Sequence, residues 1–266
     1  MSIDFSHPKN KHTYATRTAS PEWKEQVRKI LDPQGMEVAD IGCGGGIYSR
    51  ALAEMGAQVT GVDPSPIMLE AAQEQSDSFP QIRWIQGSAE QTGLPAGSFH
   101  FLLMRAVIHH LRDLLSCFHE AARILRPGGI LLIQDRTPAD CLLPATPDHL
   151  RGFIFEMFPR LKEKEIARRH PSVEIHRALK AAGFYAPWEH PLWETRRIHR
   201  NLQDLEQDIL QRQGRSILHE LHDEELHRLM RHIRHRLTAT DVTTDIPDRD
   251  RWTLWTTRKG GSDTQR

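Results

Sequence analysis

The run Asp40-Ile41-Gly42-Cys43-Gly44-Gly45-Gly46 constrains this chain more than any other part of it. It follows a strand-like segment, Glu37 to Ile41, and leads into a helical pattern over Gly46 to Met55. Glycines at such a junction let a ligand approach bare backbone at a helix N-terminus, which implies a nucleotide-like ligand. Asp63 closes the next strand, Gln58 to Asp63, 21 residues after Gly42. In a doubly wound sheet, an acid at that strand end is placed to accept hydrogen bonds from both hydroxyls of a ribose.

A dinucleotide loop wants G-x-G-x-x-G, whose third glycine permits close helix packing below a pyrophosphate. Position 47 is Ile. Asp40, just before the loop, would repel a pyrophosphate and suits an ammonium group. S-adenosylmethionine carries an ammonium and a sulfonium and no phosphate. A nicotinamide-dependent oxidoreductase is thereby disfavoured. A merely tight turn is disfavoured too, because the strand, Asp40 and Asp63 all fall in register.

The surrounding pattern alternates strand and helix. Ser20-Pro21 caps an opening helix carrying Trp23, Val27, Ile30 and Leu31. Pro64 to Gln75 reads as a helix, Ile82 to Gln86 and Phe99 to Met104 as strands, and Asp113 to Leu125 as a helix stopped by Arg126-Pro127-Gly128-Gly129. Ile130 to Gln134 is a buried fifth strand, so the first part of the chain predicts an α/β doubly wound, mostly parallel sheet. Beyond it, Leu150, Phe153, Ile154, Met157 and Phe158 predict a cap helix, and Ser172 to Ala182 a second helix closed by Gly183. Strands are expected over Phe184 to Thr195 and Trp252 to Thr257. Between them lies a helical insertion carrying Leu205, Ile209, Leu226, Leu229, Met230, Ile233 and Leu237.

The expected organisation is an N-terminal cap segment and helix (1–36), a Rossmann-like cofactor core (37–137), cap helices and sheet completion (138–198), a helical lid insertion (199–250), a last core strand (251–258) and a disordered tail (259–266). The chain has 35 basic and 35 acidic side chains, which argues against nucleic acid as a partner. Three scattered cysteines suit free thiols in a cytoplasmic protein, and no apolar run predicts a signal peptide or a membrane span.

Residues from about Val38 to Asp135 resemble the class I S-adenosylmethionine-dependent methyltransferases, particularly the small-molecule branch that includes quinone-biosynthesis enzymes. The resemblance rests on VADIGCGGG, GVDPSPIMLEAA, QGSAEQTGLP, FHFLLMRAVIHHL and RILRPGGILLIQD. It implies a seven-stranded sheet, S-adenosylmethionine as cofactor and a small organic acceptor. It further implies that Asp40, Gly42 and Gly44 lie against the methionine moiety, that Asp63 holds the ribose, and that Pro64 and Met68 flank adenine. Ser88 stands where the family has Asp before Ala89, so the adenine amino group meets a weaker acceptor there, while the Ala89 backbone contact survives. Arg105 falls where family members contact the methionine end, and Tyr14 and Arg17 lie in a segment that folds over the cofactor in similar proteins.

His109 and His110 follow the fourth strand, at the mouth where the methyl group should point, and are the candidate bases. The set Phe153, Phe155, Met157, Phe158, Trp188 and Trp193 suggests either an aromatic acceptor or ordinary core. His219, His222, His227, His232 and His235 do not share one helical face, so no metal is expected. An RNA or protein methyltransferase and a non-catalytic cofactor-binding module stand as alternatives. The oligomeric state does not follow from these residues.

Overall fold

The computed structural model describes residues 18–260. Tyr14 and Arg17 lie outside the described residues. In chain order the elements are α1 (Pro21–Ile30), β1 (Glu37–Ile41), α2 (Ile47–Glu54), β2 (Gln58–Asp63), α3 (Pro66–Glu74), β3 (Ile82–Gln86), β4 (Phe99–Arg105), α4 (Leu114–Ile124) and β5 (Leu125–Asp135). They continue with α5 (Pro138–Cys141), α6 (Arg151–Met157), α7 (Arg160–Ile166), α8 (Ser172–Ala181), β6 (Phe184–Asn201), α9 (Leu202–Leu210), α10 (Asp223–Thr238) and β7 (Thr244–Lys259).

The seven strands form one sheet in the order β3-β2-β1-β4-β5-β7-β6. Pairing is parallel from β3 through β5, and β7 runs antiparallel to β5. Strand order reverses between β1 and β4, so the loops leaving these two strands diverge and open a crevice at their carboxyl ends. The site is built there.

Contacts divide the chain into two compact units. The first contains the described residues up to Asp135, His170–Leu192 and the chain from Thr253. Its core joins Ile41, Val62, Leu102, Met104, Phe118, Leu131, Ile133 and Trp255. Helices on both faces explain why these strands read as continuous apolar runs. Ser20 accepts the Trp23 N–H at 3.2 Å, so the expected N-cap of α1 forms, and Asp113 caps α4 by accepting the Ser116 N–H at 3.1 Å. Arg126-Pro127-Gly128-Gly129 does end α4, yet β5 begins before it, at Leu125. Phe99 pairs with Leu125 and Phe101 with Ile130, so the Pro-Gly-Gly segment bulges out of the ladder instead of preceding it.

The second unit comprises Arg136–Arg169 and Trp193–Trp252. Phe153, Phe155 and Phe158 pack with Ile209, Leu229, Ile233 and Ile246 in its own core, so these phenylalanines are core residues of this unit. Beside that core runs a buried chain of ion pairs. Glu165 meets Arg151 at 3.3 Å and Arg169 at 2.7 Å, and Arg151 reaches Asp250 at 3.3 Å. Arg215 holds Asp250 at 2.7 Å and also grips Asp248, which pairs with Arg196 at 2.6 Å. Burial pushes the Asp250 carboxyl up, but Arg215, Arg136 and Arg151 outweigh it and hold the group well below the usual carboxylate range.

This chain explains why β6 and β7 run longer than expected. In β7, Ile246, Asp248, Asp250 and Trp252 are buried in alternation, so the period of two is present but its inward positions are acidic. The strand also extends to Lys259, whose Nζ donates to the Leu125 carbonyl at 2.7 Å. In α10, His222 caps the N-terminus, while Arg234 and Arg236 pair with Glu206 and Glu156. No helix among the described residues is long and apolar enough to cross a membrane. Removing one partner from a buried charge network strands the others, so Arg215→Leu should cost about 3–5 kcal/mol in urea unfolding.

Candidate active site

The turn after β1 is tied to β2. Gly42 and Cys43 both donate their N–H groups to the Val62 carbonyl, at 2.7 and 3.0 Å. Gly42 has φ +71°, and a Cβ on it would stand 2.4 Å from Val107 Cγ2, in the segment that follows β4. Only glycine satisfies both the left-handed backbone and that approach. Gly46, at φ +75°, then caps α2 without a side-chain hydrogen bond.

Asp63 is 8% exposed, and its two oxygens accept from the Ser65 and Gly44 N–H groups, each at 2.9 Å. Burial raises its pKa, and the two backbone donors act against the rise. Its remaining lone pairs stay available for hydroxyl donors. The Gly44 bond also binds the glycine turn to the end of β2.

Asp40 is buried more deeply, at 2% exposure, and accepts the Ser49 hydroxyl of α2 at 2.6 Å. Burial raises its pKa to about 6; the Ser49 bond opposes this, Asp63 adds to it, and Arg105 opposes it. Asp40 is therefore a buried acid tied to α2 rather than an exposed one. The Arg105 guanidinium lies 4.2 Å from the Tyr48 ring centroid, and Tyr48 in turn meets the edge of Trp23 at 4.7 Å. Met68 closes the other side, its Cε 3.5 Å from where a Gly44 Cβ would stand.

Gly87 N–H donates to the Asp63 carbonyl at 3.2 Å, which brings the Ser88-Ala89 loop to the same edge of the crevice. The Ser88 hydroxyl is used within that loop, accepting the Gln91 N–H at 3.1 Å, while Ala89 is buried in the core. Pro64 is exposed at the rim, its carbonyl accepting from Gln86 Nε2 at 3.3 Å. Two acids and bare backbone suit a cationic nucleoside and would oppose a pyrophosphate.

The two histidines differ. His109 sits on the 3-10 turn Ile108–His110 with its side chain 10% exposed, and Nδ1 lies 2.8 Å from Asp135 Oδ2. His110 is exposed, its ring centroid 4.0 Å from that of His109. His109 is thus anchored to a buried acid. Asp135 was not among the expected site residues, although it closes β5 as Asp63 closes β2, and that terminal acid after an apolar run was the available signal. Ser49, Tyr48 and His170 carried none. His170 Nε2 reaches the carbonyls of Ile108 and Leu111 at 3.1 and 3.0 Å and so braces the turn.

Residues 39–133 match the methyltransferase domain family. The ubiquinone biosynthesis O-methyltransferase of Xanthomonas axonopodis pv. citri is 30% identical over 185 residues, which are 64% of this chain and 74% of that protein. The enzyme of the same name from Azorhizobium caulinodans is 34% identical over 109 residues, 41% of this chain and 43% of its own. Among solved structures, an Anabaena variabilis protein assigned as a methyltransferase from an antibiotic biosynthesis pathway superposes with a TM-score of 0.66 at 25% identity, covering 91% of this chain and 98% of that one. Haemonchus contortus phosphoethanolamine N-methyltransferase 2, in complex with S-adenosyl-L-methionine, shares the fold at a TM-score of 0.60 and 19% identity, over 97% of this chain and 60% of that one.

The chain belongs to the class I S-adenosylmethionine-dependent methyltransferases. It is an enzyme, and S-adenosylmethionine is its methyl donor. Because Gly42 packs against Val107 at the centre of the site, Gly42→Ala should lower stability by about 1–3 kcal/mol, read as a shifted thermal midpoint.

Proposed function

We propose that the enzyme methylates a small organic acceptor whose nucleophile gives up its proton to His109. One observation carries this reading: His109, held on a buried carboxylate, stands at the carboxyl ends of β4 and β5, beside the acid-lined glycine turn that leaves β1. Relatives named for O-methylation in ubiquinone biosynthesis support a small acceptor. Equal numbers of basic and acidic side chains give no broad field toward RNA.

In this reading Asp63 accepts from the ribose hydroxyls, Met68 and Pro64 flank the adenine, and the Ser88-Ala89 loop meets its edge. Gly42 and Gly44 lie under the methionine portion, with Asp40 supplying negative charge from below and Arg105 completing that end. Tyr14 and Arg17 are proposed to cover the cofactor. The bound cofactor supplies an electrophilic methyl group on a positively charged sulfur. What remains for the protein is alignment of the nucleophile, exclusion of water and acceptance of one proton. A lid role for residues 140–170 and the 199–250 insertion belongs to the same proposal, supported by a helical unit with its own core. Three buried free thiols accord with a cytoplasmic setting.

The test is incubation with methyl-labelled S-adenosylmethionine and a panel of phenols, catechols and amines, with products identified by mass spectrometry. Label on a small acceptor is expected; label only on RNA or protein, or on nothing, overturns the proposal. Asp63→Ala should weaken cofactor binding by about 1.5–3 kcal/mol in calorimetry, the range for hydrogen bonds to a charged group.

Protonating Asp40 removes negative charge from beneath a cationic ligand, so affinity should fall as pH drops through about 6. The limiting slope is about tenfold per pH unit, and Asp40→Asn should flatten it. His109→Ala should lower kcat by about 10²- to 10⁴-fold, the contribution typical of a general base, whereas His110→Ala should leave most activity.

A further inference from the structure

We propose that Asp135 is the positioning residue of this active site, fixing the ring and the tautomer of His109 so that the lone pair stands on Nε2. The proposal rests on reading His109 as the proton acceptor and adds to it a second residue that touches neither cofactor nor acceptor.

One carboxylate grips a single residue twice. Asp135 Oδ2 lies 3.2 Å from the His109 backbone N–H, and its two oxygens lie 3.0 and 2.8 Å from Nδ1. An ionised carboxylate only accepts, so in this pairing Nδ1 carries a proton, and in the neutral ring the lone pair then falls on Nε2. Asp135 itself is 1% exposed and pairs in register with Thr253 of β7, so its backbone is fixed by the sheet.

The turn that carries His109 is held from several directions. Ala106, at φ +57°, enters it in a left-handed conformation that costs energy for a residue with a side chain, and its N–H donates to the Gln134 carbonyl at 2.8 Å. Val107 rests against Gly42, and His170 bridges the Ile108 and Leu111 carbonyls from the other side. A strained, multiply tied turn and a buried acid are expensive features for a position that only fills space. They are accounted for if the imidazole must present one nitrogen in one orientation.

In the step itself, the acceptor's lone pair forms the new bond to the methyl carbon while the carbon–sulfur bond breaks onto sulfur, leaving a neutral thioether. The acceptor's proton passes to Nε2, and the ionised Asp135 stabilises the imidazolium that results. An amide at position 135 offers its NH₂ to Nδ1 equally well. That would move the proton to Nε2 and block acceptance.

The experiment is ¹⁵N-histidine labelling of the whole protein, with long-range ¹H–¹⁵N correlation spectra of the wild type, Asp135→Asn and Asp135→Glu. His109→Gln identifies the His109 signals. The wild type should show the Nδ1–H form, Asp135→Asn should gain the Nε2–H form, and Asp135→Glu should keep the wild-type pattern. Turnover with 3,4-dihydroxybenzoate as the probe acceptor, or with the acceptor found by the panel, should fall about 10²- to 10⁴-fold in kcat for Asp135→Asn, KM changing far less. Asp135→Glu should recover part of it. A tautomer unchanged in Asp135→Asn overturns the proposal while leaving His109 as a base. A tautomer that changes without any loss of kcat overturns it together with that reading, and His109→Ala then shows no loss either.

Discussion

Everything in the cofactor-binding unit depends on how β1 ends. Its last residues must turn at once toward α2 while β2 and β4 stay alongside, and the backbone manages this by giving two successive N–H groups, of Gly42 and Cys43, to one carbonyl of β2. The same turn lies so close to Val107 that a single methyl group would collide. That contact couples the nucleoside side of the crevice to the histidine side, because Val107 begins the segment that carries His109. Packing at one glycine thus sets the separation between the glycine turn and the segment that carries His109.

The two acids of the crevice show how burial divides the work between like groups. Asp63 keeps two backbone donors and a partly open face, which suits a hydrogen-bonding role. Asp40 accepts from Ser49 of α2 and is almost fully enclosed, which suits a role through its field, and that field depends on its ionisation.

Much of this was legible in the residues. The β1 to β5 alternation, the glycine turn, Asp63 and the Ser20 cap follow from apolar runs, glycine placement and a side-chain oxygen at a known offset, and β1 to β4 formed within a residue of their expected bounds. Legibility failed where the signal was not apolar. The start of β5 was hidden by a Pro-Gly-Gly bulge, and the inward positions of β7 are aspartates, so neither strand declared its full length. Asp135 was overlooked because a terminal acid acquires meaning only once the fold sets His109 against it. The phenylalanines of α6 left acceptor contact and core both open, and their packing in the helical unit places them in its core.

The aspartates of β7 have one more consequence. A strand that slips by one residue turns every side chain to the other face, so a buried face already specifies register. Here a slip of one would turn Asp248 and Asp250 outward and carry Arg249 and Arg251 inward, against Arg151, Arg196 and Arg215. Like charges would then meet in a site closed to water. The ion chain thus adds an electrostatic penalty to the nearest wrong register of β7, whatever it contributes to net stability.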